Sequence, residues 1–241
     1  MLIGRKPVME ALAGGTAIEK IFLLRTATGE EINAIKQLCR ERNIPLSQVP
    51  VEKLNNLTKA QHQGVVAYTS LLEYIELQEA ISFVVDKGET PLFVLLDGVT
   101  DVRNVGAIAR SALCCGAQGL ILPTSNAASL TEEAIKTSAG ALRQIMLCRT
   151  PSVAQALDVL RLNGINVLGT NMKGSVPVFE ADLTIPSAIV MGAEDTGISK
   201  DVIKRADQLI RIPMAKAFDS LNVSVAAGMI LYEAAKQRLT Q

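Results

Sequence analysis

Five short, nearly continuous apolar runs constrain this chain more than any other feature: PLFVLLDGV, QGLILP, INVLGTN, SAIVMGA and QLIRIP. Runs of this length and character suit strands buried on both faces of a parallel sheet. Helical stretches such as SVAQALDVLRLNG separate them. Such an alternation of strand and helix predicts a layered α/β domain.

Upstream, KPVMEAL predicts a short helix closed by Gly14 and Gly15, and IEKIFLL predicts a strand. EEINAIKQLCRERN predicts an amphipathic helix with Ile32, Ile35, Leu38 and Cys39 on one face. IPLSQVP, a short helical VEKLNNL and the strand GVVAYTS complete a small alternating α/β unit of about 70 residues, a normal domain size. The expected boundaries are a first domain over 1–70, a linker containing one helix over 71–90, and the sheet domain over 91–241.

Lysine plus arginine and aspartate plus glutamate are both 24, so no global basic footprint marks the chain for non-specific nucleic-acid binding. The charge is nevertheless uneven: residues 1–70 hold 9 basic and 6 acidic side chains, and residues 71–96 hold 1 and 5. Aromatics are 3% and tryptophan is absent, so any contact with nucleic acid relies on shape, phosphate and hydrogen bonds rather than a broad stacking surface. Cys39, Cys114, Cys115 and Cys148 lack C-x-x-C spacing, and His62 is the single histidine, so reduced thiols and no metal are expected. No run approaches the ~18 apolar residues of a membrane span, and MLIGRKPVMEALAGG lacks the apolar core of a secretory signal. A cytoplasmic protein with no membrane partner is expected.

Three constellations fall just past strand ends, where open α/β sheets place their ligands. In LDGVTDVRNVGAIARSA a strand ends at Asp97, and Asn104 is the expected N-cap of a helix burying Val105, Ile108, Ala109 and Ala112. Arg110 lies about 9 Å further along such a helix, and its long arm can lean back to the loop. A capping Asn and a solvated Arg account for the same residues equally well. In SAIVMGAEDTGIS, Gly192 and Gly197 bracket Glu194 and Asp195, and glycine there admits a close approach of backbone to ligand. An ordinary strand-to-helix turn reads the same way. In IPMAKAFDSLNVSVAAGMILYEAAKQR a loop precedes a helix that Asp219 or Ser220 is expected to cap. Leu221, Val225, Met229 and Tyr232 form one stripe of it, while Ser224, Ala227 and Gly228 offer a small-residue surface to another helix. Neither G-x-G-x-x-G nor G-x-x-x-x-G-K-[ST] occurs, which weakens dinucleotide and P-loop readings.

In this order the three motifs resemble the SpoU (TrmH) family of RNA 2'-O-ribose methyltransferases, of the SPOUT class. Asn104, Gly106 and Arg110 match N-x-x-G-x-x-x-R, IVMGAEDTGIS with Glu194 matches the second motif, and IPM followed by SLNVSVAAGMILYE matches the third. The resemblance implies S-adenosylmethionine as cofactor, held by Gly192, Ile212 and Leu221 with Thr170 and Met214 beside them. It implies an active site of Asn104, Arg110, Glu194, Ser220 and Asn222, in which Glu194 and Asn104 orient Arg110. It further implies a parallel-sheet α/β methyltransferase domain with a C-terminal trefoil knot, preceded by a small α/β RNA-binding domain, and a homodimer with its site near the subunit interface. The pattern GRKPVMEAL, IEKIFL and GVVAY looks most like members that methylate a guanosine of large-subunit ribosomal RNA.

Other readings stay open: a tRNA ribose methyltransferase, a resistance enzyme acting on a ribosomal RNA adenosine, or a non-catalytic RNA-binding relative. Two positions depart from the pattern, since Lys216 stands where many relatives have Gly, and Asp195 follows Glu194 where Gly is common.

Overall fold

In the computed structural model, which describes residues 1–124, 130, 132–215 and 220–240, the chain separates into two units, 1–73 and 74–241. The first unit runs β1 (Leu2–Ile3), α1 (Arg5–Ala13), β2 (Ile18–Leu24), α2 (Glu30–Glu41), β3 (Leu46–Val49), α3 (Val51–Leu57) and β4 (Val65–Thr69). Its sheet has the order β1-β4-β2-β3. Ile32, Ile35 and Cys39 recur at helical spacing on α2 and are buried in one cluster with Val8, Leu12, Ile21, Leu23 and Val65. IPLSQVP carries no clear period; its Leu46–Val49 segment becomes a strand because it pairs in parallel with Ile21–Leu24 at the sheet edge.

The second unit runs α4 (Leu77–Asp86), β5 (Leu92–Asp97), α5 (Val102–Cys114), β6 (Gly119–Pro123), α6 (Glu132–Thr137) and β7 (Met146–Thr150). It continues through α7 (Val153–Leu162), β8 (Asn166–Thr170), β9 (Val176–Pro177), β10 (Ser187–Gly192), α8 (Lys200–Arg205), β11 (Gln208–Arg211) and α9 (Val223–Leu239). The sheet is parallel throughout, in the order β7-β6-β5-β10-β8-β11-β9. The five apolar runs become β5, β6, β8, β10 and β11, and every residue of β5, β6 and β10 is buried. Gly119 makes room for Phe93 on the neighbouring strand, because a Cβ there would lie 2.7 Å from the ring. Complete burial of that ring contributes about 1.5–3 kcal/mol.

Two features lie outside the five apolar runs. β7 reads MLCRT, and its Arg149 interrupts the run although it is only 7% exposed. The guanidinium stacks 3.4 Å from the Tyr74 ring centre, a cation–π contact that offsets part of the cost of burying the charge. The one helix expected over 71–90 is α4, and its Leu77, Ala80, Ile81 and Val84 enter the core of the second unit. Among the described residues no helix is long and apolar enough to cross a membrane. The cysteines are free, and burial pushes the Cys39 thiol up to about 11 and that of Cys148 up to about 12.

Helix α9 corrects the expected stripe. Leu221 precedes the helix, while Val225, Met229 and Tyr232 are 52%, 47% and 66% exposed. The buried face is instead Val223, Ala227, Ile230, Leu231 and Ala234. The helix is apolar nearly all round, so its own periodicity does not choose a face; packing on α5 does. A Cβ on Gly228 would lie 3.6 Å from Ser111 Oγ, which puts α5 against the expected small-residue surface.

Arg238 pins the end of α9. Its Nε donates to the Leu183 carbonyl at 2.8 Å, Nη1 to Thr90 at 2.7 Å, and Nη2 to Pro91 and Ile185 at 3.0 Å each. Partial burial lowers the guanidinium pKa from its ordinary value. Arg238→Ala should cost about 2–3 kcal/mol, read as a lower urea midpoint with an unchanged m-value. Arg238→Lys should recover little, because a point ammonium cannot reproduce the fork.

Candidate functional site

The carboxyl ends of β8, β10 and β11 leave a cavity of about 750 Å³ in the second unit. Each residue expected to hold the cofactor lines it: Gly192, Thr170, Ile212, Met214 and Leu221. Glu194 and Ser220, expected in the active site, line it as well. Thr170 closes β8 and donates its hydroxyl to the Val190 carbonyl at 2.8 Å, tying β8 to β10 beneath the cavity.

The loop after β10 is shaped by its glycines. Ala193 and Gly197 exchange backbone hydrogen bonds of 3.1 and 2.9 Å, folding residues 193–197 into a tight hairpin. That hairpin crosses so near Gly192 that a Cβ there would lie 2.2 Å from the Gly197 carbonyl carbon. Gly197 has φ +68°, a conformation that costs an ordinary side chain. Asp97, at the end of β5, accepts the Ser199 N–H at 2.6 Å and so ties the far side of the loop to the sheet. Asp195 sits in the loop without a left-handed backbone, and its Oδ1 accepts the Thr196 N–H, so this departure from the family pattern is accommodated. Lys216 lies outside the described residues, as does Asp219.

The three motifs meet in one hydrogen-bonded cluster. Asn104 Nδ2 donates to Glu194 Oε1 at 3.1 Å, and Asn222 Nδ2 donates to the same oxygen at 2.6 Å and to Asn104 Oδ1 at 3.1 Å. The Asn222 Oδ1 is turned the other way and accepts the N–H groups of Ser224 and Val225, capping α9. Asn222, and not Ser220, is therefore the N-cap, because its amide satisfies the helix with one end and the cluster with the other. Asn104 is likewise not the cap of α5. Asp101 takes that role, accepting the Arg103 N–H at 2.8 Å, so the helix starts earlier and Asn104 falls inside it, 8% exposed.

Arg110 departs from expectation too. Glu194 and Asn104 bond to Asn222 and to each other, and among the described residues the Arg110 side chain makes no hydrogen bond or ion pair. It projects from the exposed side of α5. Gly106, between Asn104 and Arg110, explains the glycine of that motif: a Cβ would lie 2.7 Å from the Ala134 carbonyl oxygen and 2.9 Å from Thr137 Cβ. The first turns of α5 thus pack directly on α6.

The cavity fits S-adenosylmethionine by size and lining. Its volume falls within the ~300–1,000 Å³ usual for ligand sites. Ile198, Ile210, Ile212, Leu221 and Ile230 supply an apolar surface for a purine, and the carboxylates of Glu194 and Asp195 complement a cationic ligand. Sequence reasoning missed Asp97 and Ile230; the available signal for Asp97 was a lone acid closing a wholly apolar strand.

Similarity to known proteins agrees with this geometry. The family described as SpoU rRNA Methylase matches residues 91–232, well over half of the chain. The chain belongs to the SpoU family. A second description, RNA 2'-O ribose methyltransferase substrate binding, matches residues 1–75. YacO of Bacillus subtilis, assigned to the TrmH family of tRNA/rRNA methyltransferases, is 34% identical over 237 residues, covering 98% of this chain and 95% of YacO. The SpoU methyltransferase AviRb of Streptomyces viridochromogenes, solved with S-adenosylmethionine, is similar with a TM-score of 0.64 and 27% identity, over 100% of this chain and 90% of AviRb. An S-adenosylmethionine-bound rRNA methyltransferase of Sinorhizobium meliloti gives a TM-score of 0.61 at 26% identity, over 95% of this chain and 84% of that one. This SpoU protein is thus an RNA methyltransferase that uses S-adenosylmethionine.

Proposed function

We propose that the protein methylates a ribose 2'-hydroxyl of RNA, at a guanosine of large-subunit ribosomal RNA. The observation that carries this reading is the Asn104–Glu194–Asn222 cluster, which gathers the three motifs at the rim of a cavity suited to the cofactor. Gly192, Ile212 and Leu221 hold S-adenosylmethionine, with Thr170 and Met214 beside them. When bound, it supplies a methyl group already activated on a sulfonium.

The protein's remaining task is to position the hydroxyl and handle its proton. Arg110, with no partner of its own among the described residues, is available to bind the phosphate next to the target ribose and stabilise the alkoxide as it develops. A guanidinium does not lose its proton in a protein, so Arg110 is not the base. With the cofactor in place, the ribose hydroxyl would pass its proton to the adjacent phosphate, held by Arg110, as its oxygen takes the methyl group. Glu194, Asn104 and Asn222 are positioning residues that fix the loop after β10 against α5 and α9, and Ser220 lines the ribose side.

Residues 1–73 bind the RNA in this reading, supported by their match to a substrate-binding family and by their excess of basic side chains. A homodimer is part of it, with exposed Val225, Met229 and Tyr232 as the apolar face available for a second copy. So is a C-terminal trefoil knot; the placement of β10 between β5 and β8, with β11 beyond β8, supports it. Nucleoside mass spectrometry of RNA from cells with and without the gene tests the substrate. Loss of 2'-O-methylguanosine from large-subunit ribosomal RNA is expected; loss from the tRNA fraction would move the substrate, and unchanged ribose methylation in both would overturn the proposal.

A further inference from the structure

We infer that a second cavity, built wholly within the first unit, receives one unstacked nucleotide of the RNA substrate, with Lys6 and Arg5 on its phosphate and Gln61 on its base edge. The identity of the ligand rests on the RNA-methyltransferase reading above; the existence of the site rests on the cavity itself. Its volume is about 900 Å³, and residues 3–7, 24, 26–28, 31, 61, 63 and 64 line it.

The lining has the three chemistries a nucleotide needs. Arg5 and Lys6 bring positive charge for a phosphate. Pro7 and Leu24 present aliphatic surface for the face of a base, and Gln61 and Gln63 present amides able both to donate and to accept at a base edge. The wall is aliphatic rather than aromatic, so hydrogen bonds rather than ring stacking hold the base.

The pocket is also pre-organised. Arg5 Nε donates to the Gln63 carbonyl at 3.2 Å, its backbone N–H donates to Gln63 Oε1 at 3.3 Å, and its Nη1 lies 3.7 Å from Glu31 Oε2. Gln63 and Gly64 are both left-handed, with φ of 50° and 83°, a costly pairing for Gln63. His62 holds it in place: Nδ1 accepts the Gly64 N–H at 2.9 Å, while Nε2 meets Asn55 Oδ1 at 3.1 Å. Arg5 is thus fixed at the wall, facing Glu31. The side chains of Lys6 and Gln61 are exposed and make no hydrogen bond or ion pair among the described residues, which leaves both for a ligand.

The test uses the full chain carrying Lys6→Glu, Gln61→Ala or, as a charge-matched control, Lys53→Glu on α3, which does not line the cavity. Affinity for a fluorescein-labelled single-stranded RNA of mixed sequence is read by anisotropy across a salt series, and affinity for S-adenosylmethionine by calorimetry. Lys6→Glu should weaken RNA binding about tenfold and flatten the salt dependence by roughly one phosphate contact, while Lys53→Glu changes affinity less than about twofold. Gln61→Ala, which leaves the charge unchanged, should weaken binding without altering the salt slope, and decides the matter if Lys6→Glu misfolds. Cofactor affinity should be unchanged in all three. Equal effects of Lys6→Glu and Lys53→Glu together with wild-type binding by Gln61→Ala would overturn the inference. If the wild type still methylates bulk RNA in that case, the cavity assignment alone has failed; if it does not, the parent reading has failed with it.

Discussion

Arg110→Ala should lose at least ~10²-fold in methyl transfer, about 2.7 kcal/mol of transition-state stabilisation, while binding S-adenosylmethionine within about twofold of wild type. The split follows from placement. Arg110 does not line the cavity that fits the cofactor, and among the described residues its side chain makes no hydrogen bond or ion pair. Its removal therefore leaves the fold and the cofactor site intact and takes away only charge offered to the substrate. Initial rates with saturating RNA, set beside calorimetry of cofactor binding, separate the two. Arg110→Lys should restore a minor part, since an ammonium keeps the charge but loses the planar fork that grips a phosphate. A variant that loses cofactor affinity in step with turnover would move Arg110 into the cofactor site.

Gly192→Ala should have the reverse signature. The added Cβ would lie 2.2 Å from Gly197 C, 2.3 Å from Ile198 N and 2.6 Å from Gly197 O. All three are backbone atoms, so no rotamer change relieves the clash. β10 cannot retreat either, because Gly192 is in register with Asp97 of β5. The hairpin 193–197 must lift, carrying Glu194 away from Asn104 and Asn222. The expected result is a loss of about 1–3 kcal/mol in urea unfolding, as for other overpacked interiors, and at least tenfold weaker cofactor binding by calorimetry. Wild-type affinity in this variant would contradict the assignment of the cavity.

The sheet was legible in the sequence because strands buried on both faces leave an unmistakable apolar run, and β5, β6 and β10 are buried at every residue. β7 was hidden by the same logic, since a strand that stacks Arg149 on Tyr74 has no such run. The motifs located the site but not its wiring. Asn104 and Ser220 both read as caps from local sequence, yet Asp101 and Asn222 hold those positions. A cap is chosen by whichever side chain reaches the free amides, and Asn222 was favoured by bonds to Asn104 and Glu194, 118 and 28 residues away. Such partners have no local signature. The exposed stripe of α9 was equally unreadable, because a helix apolar on all sides takes its buried face from its neighbour.

The most direct measurement incubates the purified protein with S-adenosylmethionine and RNA from cells lacking the gene, then digests the RNA and identifies the methylated nucleosides by mass spectrometry. The expected product is a ribose 2'-O-methylated nucleoside that forms only when S-adenosylmethionine is present and is strongly reduced with Arg110→Ala. Methyl groups found on a base, or no transfer by a protein that binds both RNA and S-adenosylmethionine, would contradict it.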